Sequence, residues 1–144
     1  GASFTYKIDY QPAPGSGTVY SLHGTIPRQQ GVPKVAALGC FGVDDDANKD
    51  DFVASVMAQN ADLIVLSGDQ TYLHEHLLYG FFELVYTLRD LLKNVPTIVQ
   101  MDDHDYGLGN LWGAERSGET SGVGFAKPPC LLNMAQQQAL GHLP

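Results

Sequence analysis

Apolar and polar residues alternate at the start of the chain. Phe4, Tyr6, Ile8 and Tyr10 fall on one side of an extended backbone, with Thr5, Lys7 and Asp9 on the other, which is the period of a half-buried strand. Pro12, Pro14, Gly15 and Gly17 mark a turn before a second strand over 18–22, and 24–33 reads as a connector. Beyond Pro33 the pattern changes. A short apolar strand over 34–38 ends at Gly39-Cys40, and 50–59 carries Phe52, Val53, Val56 and Met57 at helical spacing behind acidic residues that suit a helix N-terminus. The strand expected over 62–66 carries the continuous apolar run Leu63 to Leu66, as in a strand covered on both faces, and stops at Ser67-Gly68-Asp69. A long helix is expected over 76–92, with Leu77, Leu78, Phe81, Val85, Leu88 and Leu92 as its buried stripe. A third strand over 97–101 ends at Asp102-Asp103-His104-Asp105. Gly109, Gly113, Gly118, Gly122 and Gly124 punctuate a long loop around Trp112, and a loop of that length in a compact domain is usually functional or mobile. A short helix is expected over 131–140.

Strand, helix, strand, helix, strand with short connections predicts parallel strands joined by right-handed crossovers. The organisation that follows is an N-terminal β segment over 1–32 and a parallel α/β unit over 33–144. Parallel strands put their C-terminal ends on one sheet edge, where open α/β sheets bind ligands. Cys40, Asp69 and Asp103 each lie just past a different strand end. Residues distant in sequence should therefore converge.

Composition narrows the function. The 144 residues suit one domain with a real core, and 44% hydrophobic with 17% charged residues is globular rather than disordered. No apolar run approaches a membrane span, and no signal peptide is visible. A formal net charge of -8 argues against nucleic-acid binding through a basic surface. An acidic chain can still bind phosphate where metal ions supply the positive charge. Cys40 and Cys130 are too few for a disulfide framework; a single bridge between them is left open, and Cys130 reads as incidental.

Gly68-Asp69-Gln70-Thr71-Tyr72 turns sharply off its strand and aims a carboxylate across the sheet edge, where its two oxygens can bridge two cations. The plainer alternative is a turn with Asp69 as a helix cap and Tyr72 as packing. In Asp102-Asp103-His104-Asp105, three carboxylates surround an imidazole and repel one another unless a cation or proton compensates; otherwise this is a solvated acidic loop. Cys40 is either a small buried hydrophobe or a thiol that ionises on a metal. Asp44-Asp45-Asp46 reads as a solvated turn. His74 and His76, two apart, do not share a helix face and lack the zinc-protease spacing, so they read as surface or capping residues, with a place near the site mouth open to either one.

At these residues the chain resembles the calcineurin-like metallophosphoesterases, with their D-x-H, G-D-x-x-D and G-N-H-[DE] motifs. It is closer to the PhoD-like branch of D-type alkaline phosphatases and phosphodiesterases, which has a strand-end cysteine, G-D-x-x-Y and D-D-H-[DE]. Leu38-Gly39-Cys40, Gly68 to Tyr72 and Asp102 to Asp105 stand in that order, and Tyr106-Gly107-Leu108-Gly109-Asn110 is also similar. The resemblance implies half of a four-layer αββα sandwich, with the 1–32 segment as a small preceding β unit. It also implies hydrolysis of phosphate mono- or diesters by a metal-bound hydroxide at a dinuclear site. Cys40 and Tyr72 would bind the first metal, Asp69 would bridge, and Asp103 would bind the second. The implied cofactors are Fe(III) with Ca(II) or another divalent ion, zinc and manganese included. His104 would donate a proton or hydrogen-bond the phosphoryl oxygens. Asp102 and Asp105 would orient neighbours, and Asn110 would touch metal or phosphate.

In the family the later half of the domain supplies further histidines, whereas His142 is the one histidine after the third motif here. The expectation is that downstream sequence or a second chain completes the site, and that this polypeptide alone is weakly active or inactive. Alternatives are a non-catalytic metal-binding or interaction module, and a receiver-like signalling domain, which would need a late strand-end lysine that does not follow Asp103. The branch is often exported; the sequence itself fixes no compartment.

Overall fold

Tyr6 donates its hydroxyl to the Lys93 carbonyl at 2.5 Å, and the Thr25 N–H reaches Asn94 Oδ1 at 3.2 Å. These bonds attach an N-terminal hairpin to the segment preceding the last sheet strand. The computed structural model describes residues 2–26, 28, 31–42, 48–106, 109, 118 and 127–141. Asp44, Asp45, Asp46, Asn110, Trp112 and His142 lie outside them. The hairpin pairs β1 (Phe4–Tyr10) with β2 (Tyr20–Ile26) antiparallel, Phe4 opposite Ile26 and Tyr10 opposite Tyr20. β2 starts and ends later than the expected 18–22, and its Gly24, opposite Tyr6, lies so close to the Tyr6 ring and the Lys93 carbonyl that a Cβ would overlap both.

A separate parallel sheet has the order β3 (Val35–Leu38), β4 (Leu63–Leu66), β5 (Thr97–Val99), with Ala36 beside Ile64 and Ile64 beside Thr97. Between β3 and β4 runs α1 (Lys49–Ala58), capped by Asn48, whose Oδ1 accepts the Asp51 N–H at 3.3 Å. After β4 come a 3-10 turn (His74–His76), α2 (Leu77–Thr87) and the short α3 (Arg89–Leu92). The single helix expected over 76–92 is thus interrupted at Leu88, where the ladder tightens and Leu91 N–H bonds the Leu88 carbonyl at 2.9 Å. Of the predicted stripe, Leu77 and Leu88 are buried and Phe81 and Leu92 pack against the core, but Val85 is not part of it and Leu84 and Leu91 are. Leu84, Leu88 and Leu91 are at most 1% exposed, whereas Val85 is 39% exposed.

Sequential strand order with right-handed crossovers puts both connections on one face of the sheet. Val53 and Val56 of α1, Leu84, Leu88 and Leu91 accordingly pack on Ile64 and Leu66, with Ala36, Leu38 and Val99 alongside. Each large side chain buried there contributes roughly 1.5–3 kcal/mol. The other face carries Val35, Ala37, Leu63, Val65 and Ile98 by alternation, and Val35 and Ile98 remain 52% and 42% exposed. β4 is therefore covered on one face, not two, among the described residues. Its apolar run fits a strand whose second face needs another layer. α4 (Pro129–Leu140) opens with proline in its first turn and packs Ala135 and Ala139 near α2. Among the described residues no helix is long and apolar enough to cross a membrane.

Candidate metal centre

β3 and β4 both end in a left-handed residue. Cys40 and Asp69 each have φ of 52°, unusual for side chains other than glycine. The two turns brace each other: Cys40 N–H bonds the Gly68 carbonyl at 3.1 Å, and Phe41 N–H bonds the Asp69 carbonyl at 2.9 Å. Gly68, with φ of 108°, lies so close to Asp102 that a Cβ would collide with it. Strain that survives because its surroundings over-determine it is typical of functional turns.

Through these turns the structure brings Cys40, Asp69, Tyr72, Asp103 and His104 together. Cys40 Sγ is 3.6 Å and the Tyr72 hydroxyl 3.4 Å from Asp69 Oδ2. Asp69 Oδ1 instead accepts the His104 N–H at 3.3 Å. The alternative in which Asp69 caps a helix is excluded, since the next helical turn starts at His74 with Leu73 before it. Asp69, Asp103 and His104 each offer a donor atom, all within 4.8 Å of one another. Like charges at that separation repel by roughly 3–4 kcal/mol at a surface-like dielectric, which a cation would relieve. A carboxylate with its two oxygens turned to different neighbours, a thiol, a phenol, a second carboxylate and an imidazole form a donor set that fits metal ions. Burial raises the Tyr72 pKa above its usual value, and its hydrogen bonding with Cys40 and the charge on Asp69 push the same way. Without a cation this side chain stays a phenol.

Asp102 and Asp105 do not join the donor cluster. Asp105, 5% exposed, accepts the backbone N–H groups of Gln70 at 2.7 Å and Asp102 at 3.0 Å, and so bolts the loop after β4 to the loop after β5. Burial raises its pKa, while the N–H groups of Asp102 and Gln70 act in the opposite direction. Asp102 Oδ1 accepts the Asp103 N–H at 2.9 Å. Cys130 is a free, exposed thiol on α4, and Cys40 is also unbridged. His76 is exposed, in keeping with its reading as a surface residue.

Two contacts escaped the sequence reading, which took His74 as a surface or capping residue. His74 Nε2 lies 2.7 Å from His104 Nδ1, with the rings stacked at 4.9 Å. Gly80 sits where α2 meets the loop carrying Tyr72, and a Cβ there would overlap the Thr71 hydroxyl. A glycine inside a helical pattern is the signal that marks such a close approach; the pairing of His74 with His104 carried no signal, because the two are 30 residues apart.

The parallel three-stranded sheet with helices on one face, preceded by a small antiparallel pair, is consistent with half of a metallophosphoesterase fold. In particular, the chain superposes on a purple acid phosphatase from yellow lupin (Lupinus luteus) seeds, with a TM-score of 0.59 over 96% of its own length. Sequence identity is 16%, so the likeness is one of fold, and the chain spans 25% of the lupin protein's length. No protein-family model and no curated protein sequence matches it.

Proposed function

We propose that this chain is the metal-binding front part of a phosphoesterase of the PhoD-like kind, which hydrolyses phosphate mono- or diesters at a dinuclear site. The observation that carries this is the Asp69 carboxylate, one oxygen beside Cys40 and Tyr72 and the whole group beside Asp103 and His104. In this reading Cys40 and Tyr72 hold the first cation, Asp69 bridges and Asp103 holds the second. A thiolate with a phenolate suits Fe(III), and the carboxylate side suits Ca(II), zinc or manganese. When bound, such cations lower the pKa of coordinated water and offset phosphoryl charge. His104 is placed to pass a proton to the leaving oxygen or to hydrogen-bond the phosphoryl group. Asp105 and Asp102 keep the two loops in register for it. The missing ligands come from a further part of the catalytic domain, in downstream sequence or a second chain, layered on the sheet face that carries Val35 and Ile98. Export from the cytoplasm belongs to the same proposal and is checked by cell fractionation.

The test is metal analysis of the intact gene product together with turnover of a chromogenic phosphodiester, for wild type and Asp69→Ala. Two metal ions per chain are expected in the wild type. The variant should lose metal, and activity by more than the roughly 10–100-fold typical of disturbing an outer partner of a metal site. Stoichiometric metal without turnover would favour a non-catalytic metal-binding module. Turnover indifferent to Asp69→Ala would sink the proposal.

A further inference from the structure

The His104 ring is held on three sides by the chain itself. Tyr72 lies against it at 4.5 Å between centroids, inclined by 56°, and His74 stacks on it at 4.9 Å, inclined by 24°. Gly109 approaches so closely that a Cβ there would overlap His104 Cε1. The backbone beneath is tied to Asp69. One ring nitrogen is committed to a neighbour: His104 Nδ1 is 2.7 Å from His74 Nε2. The other, Nε2, is 3.9 Å from Asp103 Oδ2, on the side of the donor cluster.

Two neutral imidazoles sharing one hydrogen bond must hold complementary tautomers, because one nitrogen gives the proton and the other receives it. For His104 to offer a proton from Nε2, the nitrogen on the Asp103 side, its Nδ1 must be the acceptor and His74 Nε2–H the donor. We propose that His74 is a positioning residue: by donating Nε2–H to His104 Nδ1 and stacking on its ring, it fixes the tautomer and orientation that present His104 Nε2–H to the Asp69–Asp103 cluster. The residue paired with the far nitrogen of a working histidine decides which nitrogen faces the chemistry. The use of that N–H, on a leaving or phosphoryl oxygen, rests on the phosphoesterase reading. The pairing does not.

The experiment is a long-range proton–nitrogen correlation spectrum of the full chain labelled with 15N-histidine, recorded for wild type, His74→Phe and His74→Gln, with signals assigned through His104→Gln. The wild type should show His104 protonated at Nε2, with Nδ1 as a hydrogen-bonded acceptor, and His74 protonated at Nε2. His74→Phe keeps a ring to stack but removes the donor, so His104 should relax to a mixture of tautomers. His74→Gln brings an amide N–H to nearly the same point and should restore the wild-type pattern. Unfolding midpoints of the three proteins show that each is folded. In the intact gene product, His74→Phe should lower kcat by about 10–100-fold with metal content unchanged, and His74→Gln should recover part of it. A His104 spectrum identical in wild type and His74→Phe, or a wild-type His104 protonated at Nδ1, would overturn the proposal. An intact product that never turns over phosphoesters would instead refute the phosphoesterase reading, and the spectra would still decide the pairing.

Discussion

Asp105 Oδ1 accepts the backbone N–H of Gln70 at 2.7 Å, across 35 residues of sequence. This bond and its companion to Asp102 hold two strand-end loops at a fixed separation, and the carboxylate making them is nearly buried. Burial raises its folded-state pKa above the ordinary 3.8. The stability attached to such a shift is fully present below the unfolded pKa and is lost as pH rises through the folded one. For the metal-free chain, the difference in unfolding free energy between wild type and Asp105→Asn should therefore shift toward the variant as pH rises from below 3.8 through the raised value. A roughly constant penalty of about 1–3 kcal/mol is superposed, because an amide can accept one of the two N–H groups but not both. Urea unfolding across this range measures the slope, and a slope of opposite sign contradicts the argument.

Gly68 has φ of 108° and lies against Asp102. Gly68→Ala should cost about 1–3 kcal/mol through backbone strain and overlap, and should weaken metal binding by displacing the third motif. Among the described residues nothing comes within 4 Å of a would-be Cβ at Gly118, so Gly118→Ala should stay within about 0.5 kcal/mol of wild type. Denaturation midpoints and metal titration of the two variants make the comparison.

The phase of α2 is open to direct test. Leu84 is 0% exposed and Val85 39%. Leu84→Ala should cost about 2–5 kcal/mol and Val85→Ala less than about 1 kcal/mol. Equal losses in thermal or urea unfolding would mean that the helix presents a different face to the sheet.

Burial and its polar neighbours keep Tyr72 a phenol, so a cation that binds its oxygen must displace a proton. Metal affinity should consequently rise with pH, and Tyr72→Phe should both weaken binding and flatten that dependence. Calorimetric titration in buffers of different ionisation enthalpy counts the protons released. If the metal at this position is ferric, the variant also loses visible absorption arising from the phenolate.

The sequence was informative about order and placement. Hydrophobic periods located all three sheet strands to within a residue or two, as well as α1 and α4, and the alternation of strands with helices implied the parallel sheet that is found. Because parallel strands share a C-terminal edge, the convergence of Cys40, Asp69 and Asp103 was legible before any coordinate. Helical phase was less so. Leucine is dense over 77–92, so the expected stripe caught Leu77, Phe81, Leu88 and Leu92 but took exposed Val85 in place of the buried Leu84 and Leu91.

Periodicity along one chain segment thus determined which elements form and where their ends lie, because it reflects local geometry that each residue shares with its near neighbours. What faces what across those ends was decided by tertiary structure alone: His74 beside His104, Asp105 beneath Gln70, and a sheet covered on one side by its helices. Such pairings join residues about thirty or more apart, through left-handed turns at Cys40 and Asp69 whose direction is fixed by hydrogen bonds to another turn rather than by their own sequence.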